Sequence, residues 1–158
     1  MRISTRGRYA LRLMLDIARY GDDKQPVSLS AVSERTGISH GYLEQLAPAL
    51  RAGRLIRGVA GRHGGYKLAA PASKITIRQI IEASIGPISV VECVEDPDSC
   101  LRTDFCECRV VYALINQRVA GVLDEFTLAD LVDPSWVREH KDVFDLQLAP
   151  LGVAPVRS

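Results

Sequence analysis

Four cysteines fall within sixteen residues of one another. Cys93, Cys100, Cys106 and Cys108 occupy the stretch CVEDPDSCLRTDFCEC, and no other cysteine occurs in the chain. Their neighbours are Glu92, Glu95, Asp96, Asp98, Asp104 and Glu107 rather than the apolar residues that surround structural core cysteines. A disulfide framework belongs to small secreted domains, and nothing in this chain marks it for secretion. Clustered thiols in a reducing compartment instead bind metal or respond to oxidants. Zinc is one candidate, but its common sites are built from paired knuckles with two to four residues between ligands, and this chain has none. The spacing C-x6-C-x5-C-x-C in a loop suits an iron–sulfur cluster, 2Fe–2S or 4Fe–4S, whose irons are held by cysteine thiolates. Zinc and a thiol switch remain the alternatives.

The two last cysteines constrain the ligand set. Residues two apart on a regular helix point about 200° away from each other. Cys106 and Cys108 can share one cluster only where the chain is still irregular. Cys93, Cys100 and Cys106 are therefore the expected ligands, with Cys108 a candidate fourth.

These thiols must be positioned by the elements on either side. Upstream, Tyr9, Leu13, Met14 and Ile17 recur at helical spacing and predict a helix from about Thr5 to Tyr20, ended at Gly21. A short helix near 28–35 follows, with Leu29 and Val32 inward. Next comes the turn Thr36-Gly37-Ile38-Ser39, and Ser39 is placed to cap a third helix. In that helix Tyr42, Leu43, Leu46 and Leu50 form the buried stripe, leaving His40, Gly41, Glu44 and Gln45 outward. Helix, glycine-containing turn and helix is the helix-turn-helix pattern. Pro48 should bend this helix or end it early. Residues 55–60 and 66–69 alternate as two strands around Gly61-Arg62-His63-Gly64-Gly65, a hairpin with a basic tip, as in a DNA-contacting wing. Thr76 and Gln79 fit a capping box opening a fourth helix, with Ile75 and Ile80 as its hydrophobic staple. Gly86-Pro87 closes it.

Downstream of an irregular acidic segment, a long helix is expected over about 107–124. Val111, Leu114, Ile115, Val119, Val122 and Leu123 give it an apolar stripe that few remaining elements can cover, so a second copy of the chain is the expected cover. A last short helix starts at Thr127, with Asp130 completing a second capping-box pattern. The expected organisation is a winged helix-turn-helix head (1–86), a cysteine-bearing loop (87–105), a dimerisation helix with a short following helix (106–133) and a weakly structured tail (134–158). The fold class is mainly α with a small β-hairpin wing.

Charge divides along the same lines. Residues 1–78 carry 14 Lys and Arg against 5 Asp and Glu, a net of +9, whereas residues 79–158 carry 6 against 14, a net of −8. A basic head on an acidic body points to a polyanionic partner for the head. The basic start MRISTRGRYALRLML is interrupted by Arg12, Asp16 and Arg19 and lacks a cleavage site, which argues for a cytoplasmic protein rather than a signal peptide. No apolar run is long enough to span a bilayer, so no membrane partner is expected. The chain has no Ser-His-Asp set, phosphate loop or HExxH motif, and an enzyme is not expected.

The segments MRISTRGRYALRLMLDIA, SERTGISHGYLEQL, GRHGGYKLA, the cysteine loop and EFTLADLV together resemble the Rrf-type winged-helix transcription regulators, over roughly residues 1–133. The resemblance implies a homodimer crossed through the long helix, bound to palindromic promoter DNA. In the cysteine-bearing branches it implies an iron–sulfur cluster whose loss, oxidation or nitrosylation changes DNA affinity. Departures from the family pattern are specific. Where IscR-like members carry a ligand histidine, three residues after the third cysteine, this chain has Arg109, which cannot ligate. Where NsrR-like members carry a ligand aspartate near the N-terminus, this chain has Arg8. The CymR-like branch lacks the cysteines. The arginine that enters the minor groove in the family falls at Ala60, with Arg62 two residues on. Gly41 stands where a hydroxyl residue often sits.

On this reading Arg2, Arg6 and Arg51 contact phosphates, and His40, Glu44 and Gln45 read bases in the major groove. Arg62 enters the minor groove, and Ser39, Tyr42 and His63 complete the candidate DNA surface. The alternatives are a zinc- or thiol-based regulator, or a winged-helix module that binds a protein.

Overall fold

The computed structural model describes residues 3–22, 25–102 and 105–140. Helix α1 (Thr5–Tyr20) starts where the Ser4 hydroxyl accepts the Gly7 N–H, and ends at Gly21, whose N–H donates to the Ile17 carbonyl. Leu13, Met14 and Ile17 line its inner face and are wholly buried. Helix α2 (Leu29–Thr36) is capped by Ser28 and ends at Gly37, which takes the left-handed conformation (φ 71°) needed to turn the chain. Ser39 then caps α3 (His40–Ala52), whose Leu43, Leu46, Ala47 and Leu50 face the core. Pro48 does not end this helix early, because α3 continues to Ala52. Pro48 is exposed, so the hydrogen bond it cannot make is lost on the solvent side.

Strands β1 (Ile56–Val59) and β2 (Gly65–Leu68) pair antiparallel, Ile56 opposite Leu68 and Val59 opposite Gly65. Val27 pairs with Tyr66 through two backbone hydrogen bonds of 2.8 and 2.9 Å, so the hairpin is anchored to the segment that leads into α2. Only glycine fits at position 65. A Cβ there would lie 2.3 Å from the Val27 carbonyl oxygen.

Helix α4 (Ile77–Ile85) has the Thr76–Gln79 capping box, and Ile75 and Ile80 are both buried. The segment expected to be irregular contains a short helix, α5 (Glu92–Glu95), and a 3₁₀ turn at Pro97–Ser99. Helix α6 (Glu107–Glu125) follows, then α7 (Leu128–Val132), opened by the Thr127–Asp130 capping box. The start of α7 is stitched to the start of α4. The Ile77 N–H donates to the Phe126 carbonyl and the Leu128 N–H to the Ile75 carbonyl, and Leu128 is completely buried in the core of the head. The expected loose tail is corrected at its beginning, where Pro134–Glu139 form α8. Trp136 there packs edge-on against Phe126. Residues 141–158 lie outside the described residues.

Helix α6 differs from the others in packing. Of its nineteen residues Ala120 alone is buried. The head ties it down near its C-terminal end, where Asp124 accepts from Arg78 Nη1 at 2.9 Å. No described helix is long and apolar enough to cross a membrane.

Candidate functional site

The second helix of the helix-turn-helix presents its first turns to solvent. Ser39, His40, Glu44 and Gln45 are all exposed on α3. His40 Nδ1 lies 3.7 Å from Glu44 Oε1, one helical turn apart, so two of the expected base readers also face each other. Gly41 has open space where a side chain would start. Tyr42 is half-buried and meets the Tyr9 ring edge-on at 5.5 Å, which fixes α3 against α1. Its place in the buried stripe is thus half met.

The basic residues divide into free and engaged. Arg51 is exposed at the C-terminal end of α3, beside a shallow depression it lines with Arg57, Gly58 and Ala60 of the hairpin. Arg62 and His63 are exposed at the hairpin tip, where Gly61 takes φ 118°. Arg6 is engaged: its Nε donates to the Ser84 carbonyl at 2.6 Å and its Nη2 to the Gln45 carbonyl at 3.4 Å. It joins α1 to α4 and α3, which departs from the free phosphate contact expected of it. Arg2 lies outside the described residues. Arg8, at the position of the family's aspartate ligand, is exposed and donates to the Thr5 hydroxyl.

Sequence reading missed an ion pair in which Asp16 is buried and Arg35 stays partly exposed. Arg35 Nη2 lies 2.6 Å from Asp16 Oδ2, its Nε reaches both Asp16 oxygens, and the Tyr20 ring lies 4.2 Å from the guanidinium carbon. The hydrogen bond that Arg35 donates to Asp16, and then the Asp16 charge, raise the Arg35 pKa above its usual value. An acidic residue on the apolar face of α1 was the available signal, since such a residue needs a partner.

The cysteine segment lies along the first half of α6. Cys93 sits on α5 and is half-buried; Cys100 follows the 3₁₀ turn and is exposed. Cys106 is half-buried at the N-cap of α6, and Cys108 is exposed within its first turn. None of the four forms a disulfide. Cys108 lies on the helix, whereas Cys106 precedes it in an extended conformation (φ −96°, ψ 105°). Among the described residues no three His, Cys, Asp or Glu side chains converge closely enough to hold a metal ion. The structure places the three expected ligands on one segment but does not bring them together. Arg109 points into this segment, and its Nε donates to the Cys93 carbonyl at 3.0 Å.

Of the expected interface stripe, Val111, Leu114, Ile115 and Val122 are exposed on α6. Val119 and Leu123 are half-buried, and with Ile81, Ile85 and Ile88 they line an apolar groove of about 370 Å³ between α4 and α6. Val110, Leu101 and Phe105 are exposed as well and were not anticipated. Leu101 and Phe105 flank Cys100 and Cys106, and large apolar residues in so acidic a segment were the signal to read.

Comparison with known proteins places this geometry in a family. Residues 3–134 match the family model described as Rrf2, iron-dependent transcriptional regulator. The chain is 39% identical over 132 residues to the Rrf2 protein of Nitratidesulfovibrio vulgaris, covering 84% of this chain and 87% of that protein. It is 36% identical over 149 residues to the transcriptional regulator IscR of Vibrio atlanticus, covering 94% and 85%. Among solved structures, CymR, the global cysteine regulator of B. subtilis, superposes with a TM-score of 0.68 at 36% identity, over 84% of this chain and 96% of that one. IscR of T. potens superposes with a TM-score of 0.67 at 32% identity, over 84% and 86%. The helix-turn-helix, the hairpin wing and the long α6 are thus those of a transcription regulator rather than an enzyme, and the chain belongs to the Rrf2 family.

Proposed function

We propose that this regulator binds palindromic promoter DNA as a cytoplasmic homodimer, and that an iron–sulfur cluster on Cys93, Cys100 and Cys106 controls the binding in response to iron–sulfur status, redox state or nitrosative stress. The observation that carries the cluster reading is the placement of free thiols at both junctions of one segment with α6, Cys93 beside its first turns and Cys106 at its cap. The donor set fits in chemistry, since thiolates hold iron–sulfur clusters. It does not fit in present geometry, so ligation requires residues 93–106 to close around the group. A bound cluster would supply a cross-link between these cysteines that oxidants and nitric oxide can break.

The chain's own residues account for the rest. Arg51 and Arg62 meet the phosphate backbone and the minor groove, and Gln45, Glu44 and His40 face base edges from α3. Closure of the cysteine segment alters the start of α6, and α6 is joined to the head through Arg78 and Asp124. Cys108 is left outside the ligand set in this reading, since it lies in the first turn of α6 while Cys106 precedes the helix.

The test is anaerobic reconstitution of the wild type and of single Cys→Ala variants, read by visible absorption and by iron and sulfide counts. Cys93, Cys100 and Cys106 variants should lose the absorption, and Cys108→Ala should retain it. A wild type that takes up zinc but no sulfide would replace the cluster with a zinc-based reading. Unchanged spectra in all four variants would remove the ligand assignment.

A further inference from the structure

The turn that joins α3 to β1 holds a residue in an unfavourable backbone conformation. Arg54 has φ 56°, and among the described residues no other residue apart from glycine has a positive φ. Two backbone bonds close the end of α3 there. The Leu55 N–H donates to the Leu50 carbonyl and the Arg54 N–H to the Arg51 carbonyl, each at 3.0 Å. A helix that ends in this pattern puts the residue at position 54 in the left-handed region, where glycine or asparagine is the ordinary occupant. Any other side chain crowds its Cβ against the following carbonyl and costs stability. The glycine of this turn stands one residue earlier. A Cβ on Gly53 would lie 2.9 Å from the Cβ of Ala83, so the packing of α3 on α4 keeps position 53 small. Nothing of that kind acts on position 54. Arg54 is exposed, and among the described residues no hydrogen bond or ion pair engages its guanidinium. A cation for the C-terminal end of α3 is already present in Arg51. The arginine is therefore strained with no intramolecular contact to offset the strain, which is a mark of a functional position.

We propose that Arg54 is a phosphate-contacting residue of the DNA surface, carried by its left-handed turn to a backbone phosphate next to the one that Arg51 meets. The inference rests on the reading of the head as a DNA-binding one and adds to it a residue outside the helix and the hairpin tip. Arg51, Arg54 and Arg57 follow one another at intervals of three, all exposed, across the junction of α3 with the wing. Arg51 and Arg57 line one depression with Gly58 and Ala60, and Arg54 stands in the turn between them. A guanidinium matches a phosphate through two parallel N–H bonds. Such a contact adds affinity without base preference.

The experiment uses the full chain and a labelled DNA duplex of random sequence, read by fluorescence anisotropy over a salt series, with urea denaturation of the same proteins. Arg54→Gly removes the guanidinium and relieves the turn. Arg54→Ala removes the guanidinium but keeps a Cβ in the turn, and Arg54→Lys keeps the charge. The Gly and Ala variants should both lower the salt slope of binding by about 0.9 for each head bound, whereas Arg54→Lys should retain most of it. Arg54→Gly should also raise the folding equilibrium constant about fivefold, and Arg54→Ala should leave it within about twofold of wild type. Lys74→Ala takes one charge from the 3₁₀ turn Ala72–Lys74, which packs on α7, and should leave the slope unchanged. An unchanged slope in the Gly and Ala variants overturns the proposal, as does an equal fall in Lys74→Ala. A Gly variant no more stable than wild type overturns the strain on which it stands. A wild type without salt-dependent DNA binding removes the DNA-binding reading itself, whereas unchanged variants of a wild type that binds remove Arg54 alone.

Discussion

At the scale of single residues, charge does two jobs in this head, and the structure separates them. Arg35 and Arg6 are turned inward, onto Asp16 and onto the Ser84 and Gln45 carbonyls, whereas Arg51 and Arg62 are left to solvent. The inward pair should matter for stability. Asp16→Ala leaves Arg35 without its partner, and hydrogen bonds to charged groups contribute about 1.5–3 kcal/mol each. Arg35 keeps a third of its side chain exposed and can rehydrate in part. A net loss of about 2–3 kcal/mol is therefore expected, read by urea denaturation. A loss within about 0.5 kcal/mol, the range of ordinary surface substitutions, would show that the pair adds nothing. The outward residues should act on DNA alone. Arg51→Ala should lower the salt slope of binding by about 0.9 with little effect on base preference. Gln45→Ala should instead cost about 1–3 kcal/mol at one base position and leave the slope unchanged. Fluorescence anisotropy over a salt series, with single-base operator variants selected from a random pool, separates the two effects. Equal behaviour of both variants would contradict the division.

At the scale of elements, the parts governed by local rules were legible in the sequence. Ser39, Gly37 and the two capping boxes mark helix ends through bonds that reach no further than three or four residues, and the structure forms them at those positions. Helix α8 was missed because its support is not local: Trp136 rests on Phe126, ten residues earlier, across the whole of α7. The engagement of Arg6 was missed for the same reason, since Ser84 is 78 residues away. For the cysteines, spacing suggested metal or thiol chemistry but not their arrangement, which depends on the short α5 and the 3₁₀ turn that no periodic pattern marks. The capping of α7 makes a further prediction. Hydrogen bonds from the Thr127 hydroxyl and then from its backbone N–H hold the Asp130 carboxyl below the usual carboxylate range. A group whose folded pKa is depressed contributes stability above its unfolded pKa, about 3.9, and that contribution is lost as pH falls through the folded value. Asp130→Asn should therefore lower the melting temperature at neutral pH, and the difference from wild type should shrink on acidification below about pH 4. A difference that stays constant from neutral pH down to acid unfolding would mean that the carboxylate charge plays no part in the cap.

At the scale of the whole molecule, the open question is what covers α6. Its head-facing side carries Arg109, Asn116, Ala120 and Leu123, all of them at least half-buried. At 100° per residue the opposite side carries Val110, Val111, Leu114, Ile115 and Val122, each between 45% and 63% exposed. Apolar burial is worth about 25 cal/mol per Å², so a continuous strip of this kind is costly to leave in water and marks an interface. In the proposed homodimer a two-fold axis across α6 would bring the strip against its own copy, and would set two α3 helices to meet half-sites about 34 Å apart on DNA. Leu114→Asp places a charge in the middle of the strip, at a residue that is 55% exposed. The variant should remain folded by circular dichroism, sediment as a monomer at micromolar concentration and lose palindrome binding. It should keep only the weak, salt-sensitive affinity of a single head. Val122→Asp, two turns further along, should behave in the same way. Folded variants that stay dimeric would move the interface off this side of α6. The apolar groove that Val119 and Leu123 line with Ile81, Ile85 and Ile88 would then be the next surface to substitute, with Ile85→Asp as the probe because its side chain is already 42% exposed.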